Sequence, residues 1–376
     1  MAEAVRAGGG LRSVAVAESR ISSIDGVRGI LAYQGVNIHE LAAHSSFEET
    51  YLLLQNGRLP KRAELEAFKE QAARDRGVPD GLFEILRALP PKTHPMTSLR
   101  TLVSALGAFD PEAEDASPEA LLRTSRRLTA QMATLVAGID RVRSGEQPVP
   151  PDASLSHAAN LLYMLRGKRP SDADARALDI ALVLHADHEF NASTFAARVA
   201  ASTLAELHGA ITAALATLKG PLHGGANEAV MRMLEAIGSP ERAQGYVREA
   251  FAAKRKVMGF GHAVYKTEDP RATQLRRISR ELGEAAGDTK WFGISERLEA
   301  VVKAEKGLYA NVDFYSASAY RVLGIPTDLF TPLFAVSRIA GWTAHVREQL
   351  ANNRLIRPEA EYVGPSHVPY LPIERR

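Results

Sequence analysis

The chain has 376 residues, of which 45% are apolar, 24% are charged and 6% are aromatic. This length allows two domains, or one large domain with a smaller lobe, and the composition is typical of a soluble globular protein. The 46 basic and 44 acidic residues nearly cancel, so charge gives no reason to expect nucleic acid or an anionic membrane as the main partner. Cysteine is absent, which excludes disulfides, thiolate nucleophiles and sulfur-ligated zinc.

The opening segment MAEAVRAGGG has no continuous apolar core, and Glu3 comes almost at once. We therefore expect neither a signal peptide nor a transit peptide. No stretch approaches the ~20 apolar residues that a membrane span needs. One of the most apolar runs, Ile180 to Leu184, ends at His185. These features predict a soluble, cytoplasmic protein without a membrane partner.

The first predicted element is a small β-hairpin over residues 21–33, where apolar residues flank the turn pair Asp25-Gly26. Nearly everything after it has the spacing or composition of helices. The predicted helices cover 45–55, the stretches that follow Ser117-Pro118-Glu119 and Ser171, and then 194–218, 247–256, 275–286, 294–306 and 331–351. The proline-rich segment 145–152 is predicted to be an exposed loop. The fold class is therefore mainly α.

The segment GPLHGGAN (220–227) has glycines on both sides of a histidine. We expect one helix to end in a tight turn here and the next to begin near Asn227. The glycines let the backbone approach a ligand closely and let the imidazole of His223 project into a cavity. A nearby helix start favours the neutral imidazole, which can donate a hydrogen bond to a carbonyl. A helix-breaking turn with an incidental histidine explains the segment equally well.

The segment GFGHAVYK (259–266) places two glycines before His262, shortly after the cations Lys254, Arg255 and Lys256. Backbone N–H groups of such a loop can hold phosphates or the edge of a nucleotide. A lone Gly-x-Gly is weak evidence, however, and the cations are also consistent with a solvated helix end. The combination of glycines, histidine and cations is what favours a binding loop.

The segment NVDFYSA (311–317) places one carboxylate, Asp313, among apolar and aromatic residues. Such surroundings raise the pKa of an aspartate towards that of a useful general base. The alternative is that Asp313 is the N-cap of the following helix, which is the better reading of a lone aspartate. The segment predicts a helix start in either case.

The string HADHE (185–189) is the most metal-like in the chain, because His185, Asp187, His188 and Glu189 lie within five residues. It raises the possibility of a hydrolytic metal site. The arrangement His-Glu-x-x-His is absent, and the sequence offers no evident third ligand. A metal-dependent hydrolase centred on these residues is therefore the rival prediction from a different class.

Two arginines are candidates for binding carboxylates. Arg338 lies in the last long helix and Arg357 comes just beyond it. Planar guanidinium groups suit bidentate capture of a carboxylate. Either could equally be an ordinary surface arginine.

Taken together and in order, these segments resemble the citrate synthases over almost the whole chain. Further matching segments are SSIDGVRGILAYQG, YLLLQNGRLP, HPM at 94–96, HADHEFNAST, TPLFAVSRIAGW and IRPEAEYVGP. The resemblance implies a large helical domain over 1–222 and 323–376 and a smaller helical domain over 223–322 that closes over the active site. It also implies a homodimer.

The resemblance implies a role for each matching residue. Asp313 matches the base that removes a methyl proton from acetyl-CoA, His223 the group that hydrogen-bonds the thioester oxygen, and His262 the group that polarises the ketone of oxaloacetate. The implied oxaloacetate set is His188, His262, Arg271, Arg338 and, from the partner subunit, Arg357. The implied CoA set is Lys256, Val257, Met258, Gly259, Phe260 and Lys306. No metal and no bound cofactor is expected, since the CoA thioester is a co-substrate.

The implied activity is a Claisen-type condensation of acetyl-CoA with oxaloacetate, followed by hydrolysis of citryl-CoA to citrate and CoA. 2-Methylcitrate synthase, which uses propionyl-CoA, carries the same motifs and remains an alternative. A catalytically silent helical dimer is disfavoured by the intact His223, His262 and Asp313. Two positions depart from the family pattern: Gln34 replaces an arginine, and Glu359 stands where a second basic residue is common. Glu359 puts the contribution of the partner subunit in doubt.

Overall fold

The computed structural model describes Leu11 and residues 14–376, so the opening segment MAEAVRAGGG lies outside the described residues. The described part contains sixteen α-helices and one small antiparallel sheet. The prediction of a mainly α fold with an N-terminal hairpin is therefore confirmed. Among the described helices, none is both long and apolar enough to span a bilayer.

The sheet has three strands in the order β1-β2-β3, and neighbouring strands are antiparallel. The strands are β1 (Ser22–Asp25), β2 (Ile30–Tyr33) and β3 (Val36–Asn37). Asp25 pairs with Ile30, so the turn of the hairpin has four residues, 26–29, rather than the two of a tight Asp-Gly turn. Gly29 supplies the left-handed conformation of this turn with φ +66°. Strand β3 was not predicted, because two residues carry no readable alternation.

The helices follow one another with short connections. They are α1 (Ile38–His44), α2 (Phe47–Asn56), α3 (Arg62–Arg74), α4 (Asp80–Ala88), α5 (Pro95–Phe109), α6 (Pro118–Arg143), α7 (His157–Arg166), α8 (Asp172–His185), α9 (Ala192–Ser202), α10 (Leu207–Leu218), α11 (Ala226–Ile237), α12 (Ala243–Ala252), α13 (Pro270–Ala286), α14 (Lys290–Lys306), α15 (Val312–Val322) and α16 (Phe330–Ala351). Short 3-10 turns lie at Pro240–Arg242, Thr327–Leu329 and Ile373–Arg375.

The helix starts that the sequence predicted are formed by the expected caps. The side chain of Ser117 accepts a hydrogen bond from the backbone N–H of Ala120, and α6 begins with a proline. Ser171 caps α8 in the same way, by accepting from the N–H of Asp174. Each cap satisfies a backbone donor that the first turn leaves free. Gly57 ends α2 in the left-handed conformation.

Several predicted helices have different bounds in the structure; those over 275–286 and 294–306 begin earlier, at Pro270 and Lys290. The prediction of one helix over 194–218 is wrong, because α9 and α10 are separated by residues 203–206. Leu204 there is 71% exposed and has φ +67°. The predicted helix over 45–55 begins only at Phe47, since Ser45 ends α1. The helix predicted over 247–256 ends at Ala252.

Helix α16 lies at the centre of the molecule and is buried on nearly all sides. It contacts α2, α6, α8, α9 and α10, and its Trp342 and Arg338 are among the largest fully buried side chains. A helix that is apolar all round is typical of a protein interior. On its far side, α11, α13 and α14 each pack against α15. The candidate site lies between α16 and the start of α15.

Candidate active site

The turn before α11 holds His223 half-buried. The backbone N–H groups of His223 and Gly224 donate to the carbonyls of Gly220 and Leu218, each at 2.9 Å. A Cβ on Gly224 would lie 2.6 Å from that Leu218 oxygen, so the turn needs glycine there. The Nε2 atom of His223 lies 3.3 Å from the backbone N–H of Ser193, which donates to it. Nε2 also lies 2.8 Å from the hydroxyl oxygen of Ser193, so both polar groups of Ser193 contact this nitrogen. When Nε2 accepts from Ser193, Nδ1 carries the proton.

The imidazole of His223 is neutral at physiological pH. Burial lowers its pKa to about 4, and the positive charge of Arg338 adds to the effect. The sequence predicts a neutral His223 from the helix dipole, whereas burial is the main cause in the structure. A neutral ring with a protonated Nδ1 can donate a hydrogen bond to a carbonyl oxygen without releasing a full charge.

The loop after α12 fixes the ring of His262. Its Nδ1 accepts hydrogen bonds from the backbone N–H groups of Val264 at 3.0 Å and Tyr265 at 3.2 Å. Two donors on Nδ1 leave the proton on Nε2. Burial and, to a lesser extent, the positive charge of Arg271 lower the pKa of His262 to about 4. His262 is therefore a second neutral hydrogen-bond donor.

His188 lies beside His262, with ring centroids 5.3 Å apart. The hydroxyl of Tyr265 lies 3.2 Å from Nε2 of His188, and its ring centroid is 4.7 Å from that of His262. Burial lowers the pKa of His188 well below the usual value. Tyr265 is itself buried and joins the two histidines.

Asp313 lies in the first turn of α15, but it is not the N-cap. The N-cap is Asn311, whose side-chain oxygen accepts from the N–H of Asp313 at 3.1 Å. The alternative reading of Asp313 as a capping residue is therefore wrong. Burial raises the pKa of the Asp313 carboxyl to about 7, although the nearby charges of Arg271 and Arg338 act in the opposite direction. An aspartate of that pKa can accept a proton near neutral pH.

Arg271 and Arg338 are both buried, but they have different partners. Arg271 forms a bidentate pair with Asp269, with distances of 3.0 Å from Nε to Oδ1 and 2.7 Å from Nη2 to Oδ2. Arg338 donates from Nε to the carbonyl of His185 at 2.7 Å, and its guanidinium lies 4.7 Å from the centre of the Phe334 ring. Burial lowers the pKa of Arg338 to about 10, so it stays cationic at neutral pH.

The ring of Phe334 connects these groups. Its centroid is 6.5 Å from that of His223 and 5.1 Å from that of His185. His223 and Arg338 therefore both lie beside the ring of Phe334 in α16. The structure brings His188, His223, His262, Arg271, Arg338 and Asp313 into one neighbourhood. Arg357 is exposed beyond the end of α16, and no contact places it in the site of its own chain.

The predicted CoA loop lies directly against α15. The N–H of Asn311 donates to the carbonyl of Gly259, and the side-chain amide of Asn311 donates to the carbonyl of Gly261. The ring of Phe260 is 4.6 Å from that of Phe314. The loop residues run from exposed Lys256 through buried Val257 and half-buried Met258 to Gly259 and Phe260. Lys306 is exposed at the end of α14, with Nζ 5.2 Å from the ring centre of Phe251.

The four residues of the metal-hydrolase hypothesis have separate partners. Nδ1 of His185 is 2.7 Å from the carbonyl of Ala181, and Nε2 of His188 faces Tyr265. Asp187 accepts from Ser22 and lies 3.2 Å from Nε2 of His345, while Glu189 accepts from the N–H of Ile24. No group of three metal-binding side chains occurs in the described part of the chain. The HADHE string therefore does not form a common ligand set.

Four residues that contact the site were not predicted: Ser193, Tyr265, Asp269 and Asn311. Asp269 caps α13 ahead of Pro270, and an aspartate before a proline is a readable helix start. Asn311 has a similar position before α15. Ser193 and Tyr265 carry no local signal, because their partners are distant in sequence.

Comparison with known proteins identifies the family of the chain. The family model described as "Citrate synthase, C-terminal domain" matches residues 10–359. The chain belongs to the citrate synthase family. It is 49% identical to "Citrate synthase 2" of Bacillus subtilis over 98% of both chains. It is 41% identical to the "2-methylcitrate synthase" of Shewanella oneidensis, again over 98% of both.

Solved citrate synthases have the same fold. The structure from Pyrobaculum aerophilum superposes with a TM-score of 0.91 at 42% identity and covers 97% of this chain and 94% of that one. The Thermoplasma acidophilum enzyme, solved as a ternary complex with carboxymethyl coenzyme A and oxaloacetate, gives a TM-score of 0.90 at 34% identity, covering 97% and 98%. The chain is thus a full-length relative of condensing acyltransferases.

Proposed function

We propose that this protein is a citrate synthase that condenses acetyl-CoA with oxaloacetate and hydrolyses the resulting thioester to citrate and CoA. The observation that carries the proposal is the combination of one weakly acidic carboxyl, Asp313, with two neutral histidines, His223 and His262, in one neighbourhood. The family match supports the same reaction.

Asp313 is the base in the proposed first step and takes a proton from the methyl carbon of acetyl-CoA. A free carbanion is far too unstable at neutral pH, so the thioester oxygen needs a donor as its negative charge develops. His223 supplies that donor through Nδ1, because its Nε2 is occupied by the N–H of Ser193. Oriented donors of this kind lower the barrier without reorganisation of solvent.

The second step forms the carbon–carbon bond between the enol carbon and the ketone carbon of oxaloacetate. His262 donates from Nε2 to the ketone oxygen, which becomes the hydroxyl of the product. Arg271, Arg338 and His188 hold the dianion beside it, and cationic groups are what two carboxylates require. Holding both reactants in place converts an encounter in solution into a step within one complex.

The CoA moiety is proposed to bind the loop Lys256–Phe260 and, at a phosphate, Lys306. Backbone N–H groups of a glycine loop and an exposed lysine suit such a ligand. The hydrogen bonds of Asn311 to this loop support the assignment, because they connect the CoA loop to the helix that carries the base.

Domain closure is proposed to order the two substrates. The segment 223–322 forms the smaller, closing domain, and residues 1–222 with 323–376 form the larger one. In the smaller domain, α11, α13 and α14 pack against α15, which supports the assignment of these helices to one unit. Closure after oxaloacetate binds would protect acetyl-CoA from hydrolysis until condensation has occurred.

A cytoplasmic homodimer is proposed as the working form, with Arg357 of one subunit completing the site of the other. The exposed position of Arg357 on its own chain supports this arrangement. Glu359 places an acidic side chain two residues after Arg357. The segment that the partner subunit would contribute to the site therefore carries less positive charge than is common in the family.

The second candidate is 2-methylcitrate synthase, favoured by the 41% identity to the Shewanella oneidensis protein of that name. A B. subtilis relative named "Citrate/2-methylcitrate synthase" is 42% identical over 95% of this chain. Acetyl-CoA and propionyl-CoA differ by one methylene, which is worth about 1–3 kcal/mol in a pocket. Both substrates therefore have to be compared directly.

The test is thiol release from acetyl-CoA and from propionyl-CoA, each with and without oxaloacetate. We expect release to require oxaloacetate and to be faster with acetyl-CoA. Asp313→Asn is expected to lose nearly all of the release while still binding oxaloacetate. Release without oxaloacetate, or a normal rate in Asp313→Asn, would contradict the mechanism.

A further inference from the structure

The N-terminal hairpin touches the loop that carries His188. The hydroxyl of Ser22 donates to Asp187 and accepts from the N–H of Glu189 at 3.0 Å, and the N–H of Ile24 donates to Oε1 of Glu189 at 2.8 Å. Glu189 has φ +48°, a left-handed conformation that is strained for a residue with a side chain. These hydrogen bonds from β1 hold the residue next to His188 in that conformation.

The turn of the same hairpin touches the loop that carries His262. The N–H of Lys266 donates to the carbonyl of Gly26 at 2.7 Å. The approach is so close that a Cβ on Gly26 would lie 2.4 Å from the carbonyl oxygen of Val264. A Cβ on Gly29 would lie 2.8 Å from the side chain of Thr267. Turn and loop therefore meet backbone against backbone.

The turn is held in shape by its own first residue. The carboxylate of Asp25 accepts from the backbone N–H groups of Val27 at 3.0 Å and Arg28 at 2.9 Å. This local network presents the carbonyl of Gly26 in a fixed direction. The side chain of Asp25 contacts residues of the turn and none of the proposed reacting groups.

We propose that the hairpin is a positioning clamp, which sets the place of His262 relative to His188 by holding both of their loops at once. The clamp rests on the proposed function, in which both histidines bind oxaloacetate. A displacement of about 1 Å in such a pair can cost on the order of a hundredfold in rate. The residues that carry the clamp are Gly26 in the turn and Ser22 and Glu189 at its other end.

The clamp predicts an effect on one substrate only. The hairpin contacts the histidine loops and none of the proposed CoA residues 256–260, so oxaloacetate should be affected and acyl-CoA spared. The loop of His262 belongs to the proposed closing domain, and Gly26 belongs to the larger domain. The hydrogen bond from Lys266 to Gly26 therefore joins the two proposed domains.

The first variant is Gly26→Ala, whose new methyl group displaces the backbone at Val264. We expect kcat/KM for oxaloacetate to fall about tenfold to a hundredfold, with a raised KM for oxaloacetate, while the KM for acetyl-CoA changes less than about twofold. The matched control is Gly77→Ala, because a Cβ there meets nothing within 4 Å and its φ is ordinary. The control should have the kinetics of the wild type.

A second variant, Asp25→Ala, loosens the turn without a clash and covers the case in which Gly26→Ala fails to fold. We expect a several-fold rise in the KM for oxaloacetate. A second readout is hydrogen exchange at the Lys266 amide, which should be faster in both variants and unchanged in Gly77→Ala. Normal oxaloacetate KM and normal Lys266 protection in Asp25→Ala would overturn the clamp.

The two proposals fail in different ways. If the wild-type protein releases no CoA in the presence of oxaloacetate, the proposed function is wrong, and hydrogen exchange at Lys266 still reports whether the hairpin holds the loop. If the wild type is active and both variants match it, the function stands and the clamp is wrong.

Discussion

Asp313 combines two properties that oppose each other. Its half-buried position in the first turn of α15 makes it a better proton acceptor, because burial raises its pKa to about 7. The same burial makes its ionised form unfavourable in the folded protein. The reactivity of the site is therefore coupled to a local loss of stability.

This coupling predicts the pH dependence of the free energy of unfolding. The Asp313 pKa is about 7 when folded against a usual 3.8, so wild-type stability is lost as pH rises between these values. Asp313→Asn does not titrate, so it should be more stable than the wild type at pH 8. We expect the free energy of unfolding of Asp313→Asn to exceed that of the wild type by roughly 1–3 kcal/mol at pH 8, a figure reduced for the partial exposure of the side chain. Near pH 4 we expect no difference between the two proteins. Urea unfolding at equal protein concentration measures this.

The control is Asp115→Asn, because the N–H of Ser117 holds the pKa of Asp115 below its usual value. That substitution should give no gain in stability at pH 8. A stability difference for Asp313→Asn that is the same at pH 4 and pH 8 would exclude the raised pKa as its cause.

The sequence predicted candidate residues for the chemistry but not their protonation states. Two donors on Nδ1 of His262 define its tautomer, and both donors are backbone groups whose directions only the folded loop provides. The sequence allowed Asp313 as an alternative N-cap of α15, whereas the N-cap is Asn311, because either residue type caps helices and the two lie two positions apart.

At the scale of elements, Gly259 in the proposed CoA loop and Gly261 just after it look alike in sequence and differ in the structure. Gly259 and Gly261 have φ values of +82° and +78°, so both occupy the left-handed region. A Cβ on Gly259 would lie 2.8 Å from the Phe314 ring and 2.9 Å from Val230, whereas a Cβ on Gly261 meets nothing within 4 Å. Only Gly259 is also required for packing against α15.

This difference predicts unequal effects of alanine. Both Gly259→Ala and Gly261→Ala incur the backbone strain of a positive φ, about 1 kcal/mol. Gly259→Ala should in addition displace the loop from Phe314 and raise the KM for acetyl-CoA about tenfold or more, since the loop is the proposed CoA site. Steady-state kinetics with acetyl-CoA varied measures this, and Gly261→Ala is the matched control. Equal KM values in the two variants would mean that contact with α15 does not position the loop.

Helix starts could be predicted and one helix break could not. The starts of α6 and α8 follow from Ser117 and Ser171, because capping is a local interaction. The break between α9 and α10 has no proline or glycine, and Leu204 adopts a positive φ there against its preference. Tertiary packing of α9 against α10 imposes that break.

At the scale of the whole molecule, the segment that follows α16 stands out. Residues 357–376 are exposed throughout, including large apolar side chains. The most exposed of these are Tyr362, Val363, Val368, Tyr370 and Ile373. Exposed apolar groups clustered in one segment are typical of an interaction surface. This exposure supports the proposed dimer, in which Arg357 reaches the partner's site.

Mixing two inactive variants tests whether Arg357 acts between subunits. Asp313→Asn and Arg357→Ala should each be nearly inactive alone. In a mixed dimer, one site combines the intact Asp313 of one subunit with the intact Arg357 of the other, so equimolar mixing with subunit exchange should restore about a quarter of wild-type activity. The thiol-release assay before and after exchange measures it.

The control is a mixture of Asp313→Asn with His262→Ala, which both act within one subunit's own site in the proposed arrangement. That mixture should gain no activity, because every site keeps one lesion. Restoration in neither mixture, with a verified mixed dimer, would show that Arg357 belongs to its own chain's site or to none.

The fold class followed from composition and helical spacing, whereas the domain arrangement was only implied by resemblance. The joining of the hairpin to the loops of His188 and His262 had no sequence signal, since it depends on contacts between residues such as Gly26 and Val264 that lie far apart. Contacts of that kind arise from topology, which a single sequence does not encode in any local pattern.

The unequal pairing of the two buried arginines has a consequence for the resting protein. Arg271 has its counter-ion, Asp269, built into the chain. Arg338 forms no ion pair among the described residues and rests on a carbonyl and an aromatic face. The carboxylates of Asp187 and Asp313 act on it through space but do not pair with it directly. In the proposed function, a carboxylate of oxaloacetate would be the direct counter-ion of Arg338, so we expect substrate binding to stabilise the central helix as well as to place the reactant.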